Sequence, residues 1–386
     1  MIYWDHAAST PPYEEVIQTM AEVMRQHYGN PSSIHRMGED AAKLIKRSRE
    51  VCAAALGVKP AEIILTSGAT EGNNMAIKGT AFQYAGRGKH IITTATEHPS
   101  VYDSCLYLRE HGFEVTFLDV DRKGRIHPDQ LRSLIRKDTI LVSIMHVNNE
   151  TGAVQPLEAA GRIIKQCNPL TLFHVDGVQG FGKLHVDLQA WQADLYTLSA
   201  HKIRGPKGAG VLFRREGVQL HPLLSGGKQE SGMRSGTENY PGIVAMAKAM
   251  RMAKEQLGTF GEQVGALRDE LLAFIRTMPA LALNSDEDGA PHIVNVSFSG
   301  MKAEVLLHSL EEHGMLVSTK SACSSKTAEP SRVLLAMGRS EEEASSAIRI
   351  SMGLTNTEND VERLKDALQD AVERLTPLMT GRNEIH

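Results

Sequence analysis

The sequence predicts an α/β protein with a mainly parallel central sheet, helices on both faces, and a smaller α+β domain. Short apolar runs alternate with helix-like segments between about residues 13 and 250, which is the pattern of parallel strands connected by helices. The composition shifts after this region, and single strand-like runs are then separated by amphipathic stretches. We therefore predict a large domain at 13–257 and a small domain formed by 1–12 and 258–386.

The elements of the large domain follow from apolar periodicity. Apolar residues three and four apart predict a helix over 39–56, and Gly57 and Pro60 mark its end. Helix-like stretches separate most of the strands, and one long helical stretch begins at 241 and ends near 278. The predicted strands are the short apolar runs 62–66, 90–94, 114–118, 139–146, 172–175 and 195–198.

The residues predicted to form the small domain show both the alternation of strands and the periodicity of helices. Alternation over 291–298 predicts a half-buried strand, and 347–351 predicts another. The stretch 303–313 is helix-like. An amphipathic helix over 359–378 comes near the end of the chain, with Thr357 as its N-cap and Asp360 three residues later.

Composition excludes several classes of protein. With 386 residues, 41% hydrophobic and 23% charged, the chain is typical of a globular protein of two domains. A net charge of -4 argues against a general nucleic-acid binder. We find neither a secretory signal nor an apolar run of about 18 residues, so we expect no membrane span. Four cysteines without CxxC spacing favour a reducing compartment, and we expect a cytoplasmic protein.

Cys323 differs from the other cysteines because its neighbours are polar. It lies in a run of small polar residues between Ser318 and Pro330, whereas a free cysteine usually packs in a core. Cys52, Cys105 and Cys167 have apolar neighbours and are expected to pack in this way. A thiol on a polar loop is a candidate nucleophile. An incidental surface cysteine is the alternative that this context leaves open.

Three polar segments follow predicted strands, where ligands gather in doubly wound sheets. The turn at 66–71, Thr-Ser-Gly-Ala-Thr-Glu, offers N–H groups and hydroxyls to a phosphate, although such turns are common before helices. Asp176 could cap a helix, ligate a metal or pair with a cationic heterocycle. Lys202 follows a strand, and desolvation there would lower the pKa of its amine towards that of a Schiff-base lysine. A solvated loop lysine is the alternative.

A phosphate cradle, an aspartate for a ring nitrogen and a Schiff-base lysine are together what pyridoxal 5'-phosphate needs. The sequence resembles the cysteine desulfurases, NifS- and IscS-like members of the class V aminotransferases, which have pyridoxal-phosphate fold type I. Eight ordered motifs, far more specific together than singly, carry the resemblance over nearly the whole chain. They are Ser67–Glu71, Thr96–His98, His146–Glu150, His174–Gln179, Ser199–Lys202, Arg234–Thr237, Ser321–Cys323 and Ile348–Arg349.

The resemblance implies a role for each cofactor-binding residue. Lys202 would form the Schiff base and move the Cα proton, Asp176 would pair with the pyridine nitrogen, and Gln179 would bind the phenolic oxygen. His98 would stack on the ring and assist proton transfers. Thr237 would reach the phosphate of a neighbouring subunit, which implies a homodimer with shared sites. The phosphate of the same subunit would be held by Ala69, Thr70, Ser199 and His201.

The resemblance also implies the substrate and the reaction. Arg349 would clamp the carboxylate of L-cysteine, with Asn149 beside it. Sulfur would pass to Cys323 as a persulfide while L-alanine is released, and would then go to acceptors such as an iron–sulfur scaffold or a tRNA-thiolation protein. Lys320, Lys326 or His98 would raise the thiolate fraction. The segment around Cys323 resembles the long-loop group. No resident metal is expected, although Cys323 could transiently ligate a cluster iron with a scaffold.

Plainer interpretations and other functions stay open. Arg349 could be an inter-strand ion-pair residue, His98 a loop histidine and Asn149 a turn former. Gly177-Val178 stands where Ala-Thr is usual in the family. A selenocysteine lyase or an aminotransferase of the same fold, or a non-catalytic sulfur-transfer partner, are the competing functions. We expect no direct membrane or nucleic-acid partner.

Overall fold

The computed structural model describes residues 1–319 and 329–380, and for Met379 and Thr380 it describes the backbone alone. Cys323 and the neighbouring Lys320 and Lys326 lie outside the described residues. No helix within the described ranges has the length and apolarity that crossing a membrane requires.

The strands alternate with helices along most of the chain between Ile63 and Ser199. In chain order the described strands are β1 (Ile2–Tyr3), β2 (Ile63–Thr66), β3 (His90–Thr94), β4 (Glu114–Leu118), β5 (Thr139–Ser143), β6 (Leu172–Asp176), β7 (Leu195–Ser199), β8 (Gly210–Arg214), β9 (Ala282–Leu283), β10 (Ile293–Ser297), β11 (Met315–Leu316), β12 (Ser318–Thr319) and β13 (Ala347–Ser351).

The helices cover the sheets. The described helices are α1 (Glu14–Gln26), α2 (Arg36–Leu56), α3 (Ala69–Tyr84), α4 (Pro99–Glu110), α5 (Pro128–Leu134), α6 (Leu157–Cys167), α7 (Tyr240–Glu255), α8 (Leu257–Arg276), α9 (Ala303–Glu312), α10 (Arg332–Ala336), α11 (Glu341–Ser345) and α12 (Glu358–Thr380).

The central sheet has seven strands in the order β2-β8-β7-β6-β5-β3-β4. The five neighbouring strands β7, β6, β5, β3 and β4 pair in parallel, and β8 is antiparallel to both β7 and β2. Every residue of β2, β3, β5, β6 and β7 is buried, as expected for strands covered on both faces. The mainly parallel sheet is confirmed. Because β2 and β7 run in the same direction, the carboxyl ends of β2, β7, β6, β5 and β3 meet at one edge.

Most predicted elements are confirmed, with differences at their ends. The strands at 90–94 and 114–118 have the predicted bounds, whereas β5 ends at Ser143, three residues earlier than predicted. The long helical stretch is two helices, because the chain leaves the helical conformation at Gln256, with φ -92° and ψ 4°. The Gln256 side chain accepts a hydrogen bond from Tyr13 at this break.

The carboxyl-terminal third builds a second sheet with the order β12-β13-β10-β9, which is antiparallel throughout. Its core includes residues of α8, α9 and α12 together with Ile2 and Trp4 from the amino terminus. The predicted cap of the last helix is confirmed, because Asp360 N donates to Thr357 Oγ1 at 3.2 Å and Thr357 N donates to Asp360 Oδ2 at 3.0 Å.

The prediction that the cysteines other than Cys323 pack in a core is confirmed for two of the three. Cys52 and Cys105 are buried free thiols, and desolvation raises the pKa of each to about 12. The prediction is wrong for Cys167, which is exposed. Cys167 is the last residue of α6, beyond the buried Ile163 and Ile164, so the helix ends before its side chain reaches the core.

Candidate active site

Lys202 lies in a short 3-10 turn, Ala200–Lys202, that directly follows β7. Its Nζ donates hydrogen bonds to the carbonyl oxygens of Ala7, at 2.5 Å, and Ala8, at 2.8 Å. The amino-terminal segment therefore crosses the edge of the central sheet and holds this side chain. Gln179 joins the same group, since its Nε2 donates to the Ala7 carbonyl at 2.9 Å and its Oε1 lies 3.1 Å from His292 Nε2.

Asp176 ends β6, the strand next to β7, and its side chain is buried. Oδ2 accepts a hydrogen bond from Asn73 Nδ2 at 2.8 Å, and Oδ1 accepts one from Val178 N at 3.1 Å. Both donors are uncharged, and no salt bridge to Asp176 occurs within the described residues. A buried carboxylate with neutral donors stabilises a positive charge brought to it by a ligand.

Asn73 is a site residue that the sequence reasoning missed. It is fully buried on α3, and its Nδ2 also donates to Ser100 Oγ at 2.9 Å. In the part of the chain that the structure describes, its Oδ1 has no hydrogen-bond partner. Ser100 Oγ lies 2.8 Å from His98 Nδ1. Asn73 is thus joined by hydrogen bonds to Asp176 directly and to His98 through Ser100. An amide in the first two turns of a buried helix was the available signal.

His98 caps the amino terminus of α4, where its Nδ1 accepts a hydrogen bond from Ser100 N at 3.2 Å. Because Nδ1 accepts this bond, the proton of the neutral ring lies on Nε2. Desolvation by the surrounding protein lowers the pKa of His98, Asp176 opposes this effect and Lys202 adds to it. The hydrogen bonds of the ring within the described residues are made by Nδ1, so a neutral imidazole keeps its Nε2–H as a donor.

Strand register brings the predicted phosphate cradle together. Thr66 of β2 and Ser199 of β7 pair with the same residue, Gly210 of β8, from opposite sides. A Cβ on Gly210 would lie 2.7 Å from Gly68 Cα, so glycine is required for this close approach. A Cβ on Gly68 would lie 3.6 Å from Ser199 Oγ. Ala69 and Thr70, which begin α3, therefore lie beside Ser199, with the helix dipole directed at the cradle.

His201 and the Thr237 loop border this cradle. Desolvation, followed by the charge of Lys202, lowers the pKa of His201 to about 4, so the ring is neutral near pH 7. Thr237 is exposed and follows Arg234, whose Nε forms an ion pair with Glu71 Oε1 at 2.7 Å. Glu71 Oε2 also accepts from Ser67 N at 2.8 Å. The loop is thereby anchored to the first turn of α3.

Arg349 lies on β13 of the second sheet and contacts Asn149, which follows β5 of the central sheet. Nη1 donates to the Asn149 carbonyl at 2.8 Å, and Nη2 pairs with Asp5 Oδ1 at 2.8 Å. Nε is buried and has no hydrogen-bond partner among residues 1–319 and 329–380. The contact confirms that Asn149 lies beside Arg349, and the unsatisfied N–H is a donor for an anionic ligand.

Glu97 was not singled out from the sequence, although it lies within a motif. Its side chain is fully buried, and its Oε1 accepts hydrogen bonds from Thr94 Oγ1 and Met145 N, both at 2.9 Å. Desolvation, and then the charge of Asp176, raise the pKa of Glu97 to about 8. The carboxyl group is therefore mostly protonated at neutral pH.

The chain was compared with families of known proteins. The family model described as aminotransferase class-V matches residues 2–364. The chain belongs to this family. Fold type I of the pyridoxal-phosphate enzymes is thereby confirmed, since NifS-like structures have the same architecture.

The most similar proteins include several curated cysteine desulfurases. The cysteine desulfurase IscS of Dictyoglomus turgidum is 42% identical over 385 residues, which are 99% of this chain and 97% of that protein. The cysteine desulfurase IscS of Escherichia coli O139:H28 is 43% identical over 383 residues, 98% of this chain and 94% of that protein. A solved NifS-like protein has a TM-score of 0.92 at 38% identity and covers 97% of this chain and 100% of its own.

Pyridoxal 5'-phosphate is the cofactor of this class V aminotransferase, and the described residues fit it. The buried Asp176 carboxylate has only neutral donors and can accept the pyridinium N–H. The space beside Gly68 and Ser199 at the start of α3 suits the phosphate, and Lys202 lies on the next strand of the same edge. These are the three features that the cofactor requires.

Proposed function

We propose that this class V aminotransferase is a cysteine desulfurase, which takes sulfur from L-cysteine, releases L-alanine and passes the sulfur to acceptor proteins. The observation that carries the proposal is the set of Lys202, Asp176 and Arg349 around one site, with an unsatisfied Arg349 N–H. Relatives named cysteine desulfurase that align over nearly the whole chain support the same conclusion. A solved relative, SspA in complex with cysteine, has a TM-score of 0.80 at 37% identity and covers 91% of this chain and 99% of its own.

We assign the cofactor contacts as the sequence predicts. Asp176 would hold the ring nitrogen, Gln179 the phenolic oxygen, and His98 would cover the ring. When bound, the cofactor withdraws electrons from the substrate Cα, which makes the C–S bond labile. The residues assigned to the phosphate and its surroundings are Ala69, Thr70, Ser199, His201, Asn149 and, from a neighbouring subunit, Thr237.

Lys202 is the base that moves the Cα proton. Its Nζ is held by the carbonyls of Ala7 and Ala8, which stabilise the amine when it carries this proton. His98, neutral and with its proton on Nε2, supplies a second proton donor on the exposed side of the site. Two groups with different environments can therefore take and return protons in turn.

Arg349 orients the substrate. Asn149 and Asp5 fix two arms of its guanidinium group, which leaves the buried Nε–H for the substrate carboxylate. A guanidinium held in this way places the amino acid without losing side-chain entropy on binding. The amino group and the sulfur of cysteine are then directed towards the large domain.

Cys323 is the proposed acceptor of sulfur, from its sequence context. Its thiolate attacks the sulfur of the bound substrate, so an S–S bond forms as the substrate C–S bond breaks. The electron pair of the C–S bond stays with the amino acid, which is protonated and leaves as L-alanine. The outer sulfur of the Cys323 persulfide then passes to an acceptor protein. The proposed acceptors are an iron–sulfur scaffold or a tRNA-thiolation protein.

Two variants and one control test the function. Lys202→Ala should abolish the visible absorbance that wild-type protein acquires with pyridoxal 5'-phosphate. Cys323→Ser should keep the absorbance but lose the persulfide that mass spectrometry detects after addition of L-cysteine. Cys167→Ser, which removes an exposed thiol elsewhere, should behave as wild type. Full alanine release by Cys323→Ser would instead favour a lyase that needs no thiol, and release of a keto acid would favour an aminotransferase.

We further propose a homodimer in which Thr237 serves the neighbouring site. Large apolar side chains on and after α1 support an interface, because Met24, Tyr28 and Ile34 are 59%, 73% and 97% exposed. A mixed dimer tests the sharing: Lys202→Ala combined with Thr237→Val should contain one wild-type site if Thr237 acts across the interface. Tight cofactor binding would then return in half of the sites. If Thr237 acts within its own chain, no wild-type site can form.

The domain division at 257/258 and a cytoplasmic location stay proposals. Ile2 and Trp4 pack in the core of the carboxyl-terminal third, which supports placing residues 1–12 in the small domain. The free thiols of Cys52, Cys105 and Cys167 fit a reducing compartment.

A further inference from the structure

Arg332 connects α10 to the chain that precedes His98, and the proposed mechanism does not use it. It is the first residue of α10, and its side chain is half-buried. Its Nη2 donates a hydrogen bond to the main-chain carbonyl of Glu97 at 2.5 Å, and its Nη1 donates to that of Ala95. The guanidinium group therefore holds both ends of the segment 95–97, which leads directly to His98.

The ring of Tyr102 lies against the same guanidinium group. Arg332 Cζ is 3.7 Å from the ring centroid, which is within the range of a cation–π contact. Tyr102 is in the first turn of α4, where its N–H donates to the His98 carbonyl at 3.0 Å. Arg332 thus contacts the chain both before and after His98.

The side chain of Glu97 fixes this segment from the interior. Its Oε1 accepts hydrogen bonds from Thr94 Oγ1 and Met145 N, both at 2.9 Å. These bonds hold the side chain, but the orientation of the peptide planes before His98 depends on what binds their carbonyls. Arg332 binds two of them, so it sets the direction in which the chain enters α4.

The start of α10 is itself fixed beside the substrate site. Ser331 Oγ donates to Glu150 Oε2 at 2.5 Å, and Glu150 follows Asn149, whose carbonyl accepts from Arg349. The Arg332 side chain therefore begins at a fixed point, and little conformational entropy is lost when it binds the two carbonyls.

We propose that Arg332 is a positioning residue for His98, which fixes the orientation in which the imidazole covers the cofactor ring and donates its proton. It acts through the two carbonyls before His98 and through the Tyr102 ring. The inference rests on the proposed function for the role of His98. A proton donor has to lie within hydrogen-bond reach of the atom that it serves, so its orientation affects the rate.

The charge of Arg332 also acts on His98. Desolvation is the largest cause that lowers the pKa of His98, Asp176 and Asp103 oppose it, and Lys202 and Arg332 add to it. Position and charge are separable, because lysine keeps the charge but its single ammonium group cannot lie flat on a ring and also span two carbonyls.

A double-mutant cycle with His98 tests the proposal. Arg332→Met keeps an apolar stem and removes the donors, so kcat for alanine release should fall about 10- to 100-fold while KM for L-cysteine stays close to wild type. The visible circular dichroism of bound pyridoxal 5'-phosphate should change, because it reports how the cofactor ring is held. In a His98→Ala background, Arg332→Met should cause no further change in either quantity.

A conservative variant and a matched control complete the test. Arg332→Lys should show the same loss as Arg332→Met, and it provides the same test if the methionine variant does not fold. Arg87→Met removes another arginine that lies over a tyrosine, with Cζ 4.6 Å from the Tyr84 ring centroid and Nη2 donating to the Leu170 carbonyl. It should match the wild type in kcat and in circular dichroism.

The outcomes separate this inference from the proposed function. If the wild-type protein releases alanine and Arg332→Met does so equally well with unchanged circular dichroism, the inference is overturned while the function stands. Equal losses with and without His98 also overturn it, because Arg332 would then act through the fold in general. Full activity in Arg332→Lys overturns it by assigning the effect to charge. A wild-type protein that binds the cofactor but releases no alanine would overturn the proposed function, and the dichroism cycle would still decide whether Arg332 positions His98.

Discussion

Arg349 is the residue at which the two sheets meet around the substrate. Its Nη1 and Nη2 are held by Asn149 and Asp5, so the direction of Nε–H is set before any ligand arrives. Arg349→Lys keeps the charge but loses the planar fork and its fixed orientation. We expect KM for L-cysteine to rise about 10- to 100-fold, since charge-assisted hydrogen bonds contribute about 1.5–3 kcal/mol. Steady-state kinetics measure this change, and cofactor absorbance should be unaltered.

Arg339 supplies the matched control. It is also partly buried, and its Nε has no hydrogen-bond partner within the described ranges, but its Nη2 donates to the Leu283 carbonyl at 3.0 Å, outside the site. Arg339→Lys should leave KM close to wild type. Equal increases in the two variants would show that KM responds to general loosening of the domain and would contradict the role of Arg349.

Glu97 makes stability depend on pH. Its pKa of about 8 in the folded protein lies above the value of about 4.3 for an unfolded chain, so folding stabilises the protonated form. This contribution is complete below pH about 4 and is lost as the pH rises through about 8. Glu97→Gln cannot titrate, so its free energy of unfolding should fall about 2 kcal/mol less than that of the wild type between pH 6 and pH 9. Urea denaturation at the two pH values measures the difference.

Glu62 is the control for this prediction. It is another buried glutamate, whose side chain accepts hydrogen bonds from Lys59 N and Glu216 N, both at 2.9 Å. If Glu97→Gln and the wild type lose the same stability between the two pH values, the carboxyl group is not protonated as inferred. A similar gain in Glu62→Gln would attribute the effect to buried carboxyl groups in general.

At the scale of elements, the turn after β6 requires a glycine at position 177. A Cβ on Gly177 would lie 1.8 Å from Cζ of Tyr196, whose ring is fully buried on β7 and whose hydroxyl donates to the Gly177 carbonyl at 3.2 Å. The larger neighbour on the adjacent strand occupies the space that an alanine would need. Position 177 therefore has to be glycine as long as the buried Tyr196 ring occupies this space.

Gly177→Ala should lower stability by about 3 kcal/mol and weaken cofactor binding. The clash is with a packed ring, so the turn must move, and Asp176 directly precedes it. Thermal unfolding and titration with pyridoxal 5'-phosphate measure the two effects. Gly261→Ala is the control, since nothing lies within 4 Å of its added Cβ on α8 and the helix should gain up to about 1 kcal/mol. Unchanged cofactor affinity in Gly177→Ala would contradict the coupling of this turn to Asp176.

At the scale of the whole molecule, the amino-terminal segment connects the two sheets. Ile2 and Trp4 pack in the core beside the second sheet, and Ser351 Oγ accepts a hydrogen bond from Ala7 N at 2.8 Å. A few residues later the same segment supplies the carbonyls that hold Lys202. The position of the Lys202 amine thus depends on packing beside the second sheet.

Trp4→Ala should therefore affect both stability and the site. The loss of a fully buried indole costs about 3–5 kcal/mol, and the segment that carries Ala7 and Ala8 loses its anchor. We expect weaker binding of pyridoxal 5'-phosphate under native conditions. Phe298→Ala removes a buried ring from the same core but not from this segment, so it should lose comparable stability with unchanged cofactor affinity. Equal cofactor affinities in Trp4→Ala and Phe298→Ala would contradict the role of the amino-terminal segment in holding Lys202.

The site residues that directly follow strands could each be predicted from the sequence around them. Lys202, Asp176 and the turn at 66–71 each follow a short apolar run, and parallel strands place such residues at one edge. The family's motifs added Arg349 and Asn149, whose contact the structure confirms. The exposure of Cys167 was not predictable from periodicity, because it depends on where α6 ends relative to the sheet.

The sequence by itself determined the fold class, the cofactor and the assignment of Cys323, because these follow from local patterns and from the order of motifs. Only the tertiary structure decided which groups modify the catalytic residues. Asp5 and Arg349 are 344 residues apart, and Asn73 and Asp176 are 103 apart, so no local pattern joins them. The pKa values of Glu97 and His201 likewise arise from desolvation and from neighbours brought close by folding, which are properties of the packed molecule.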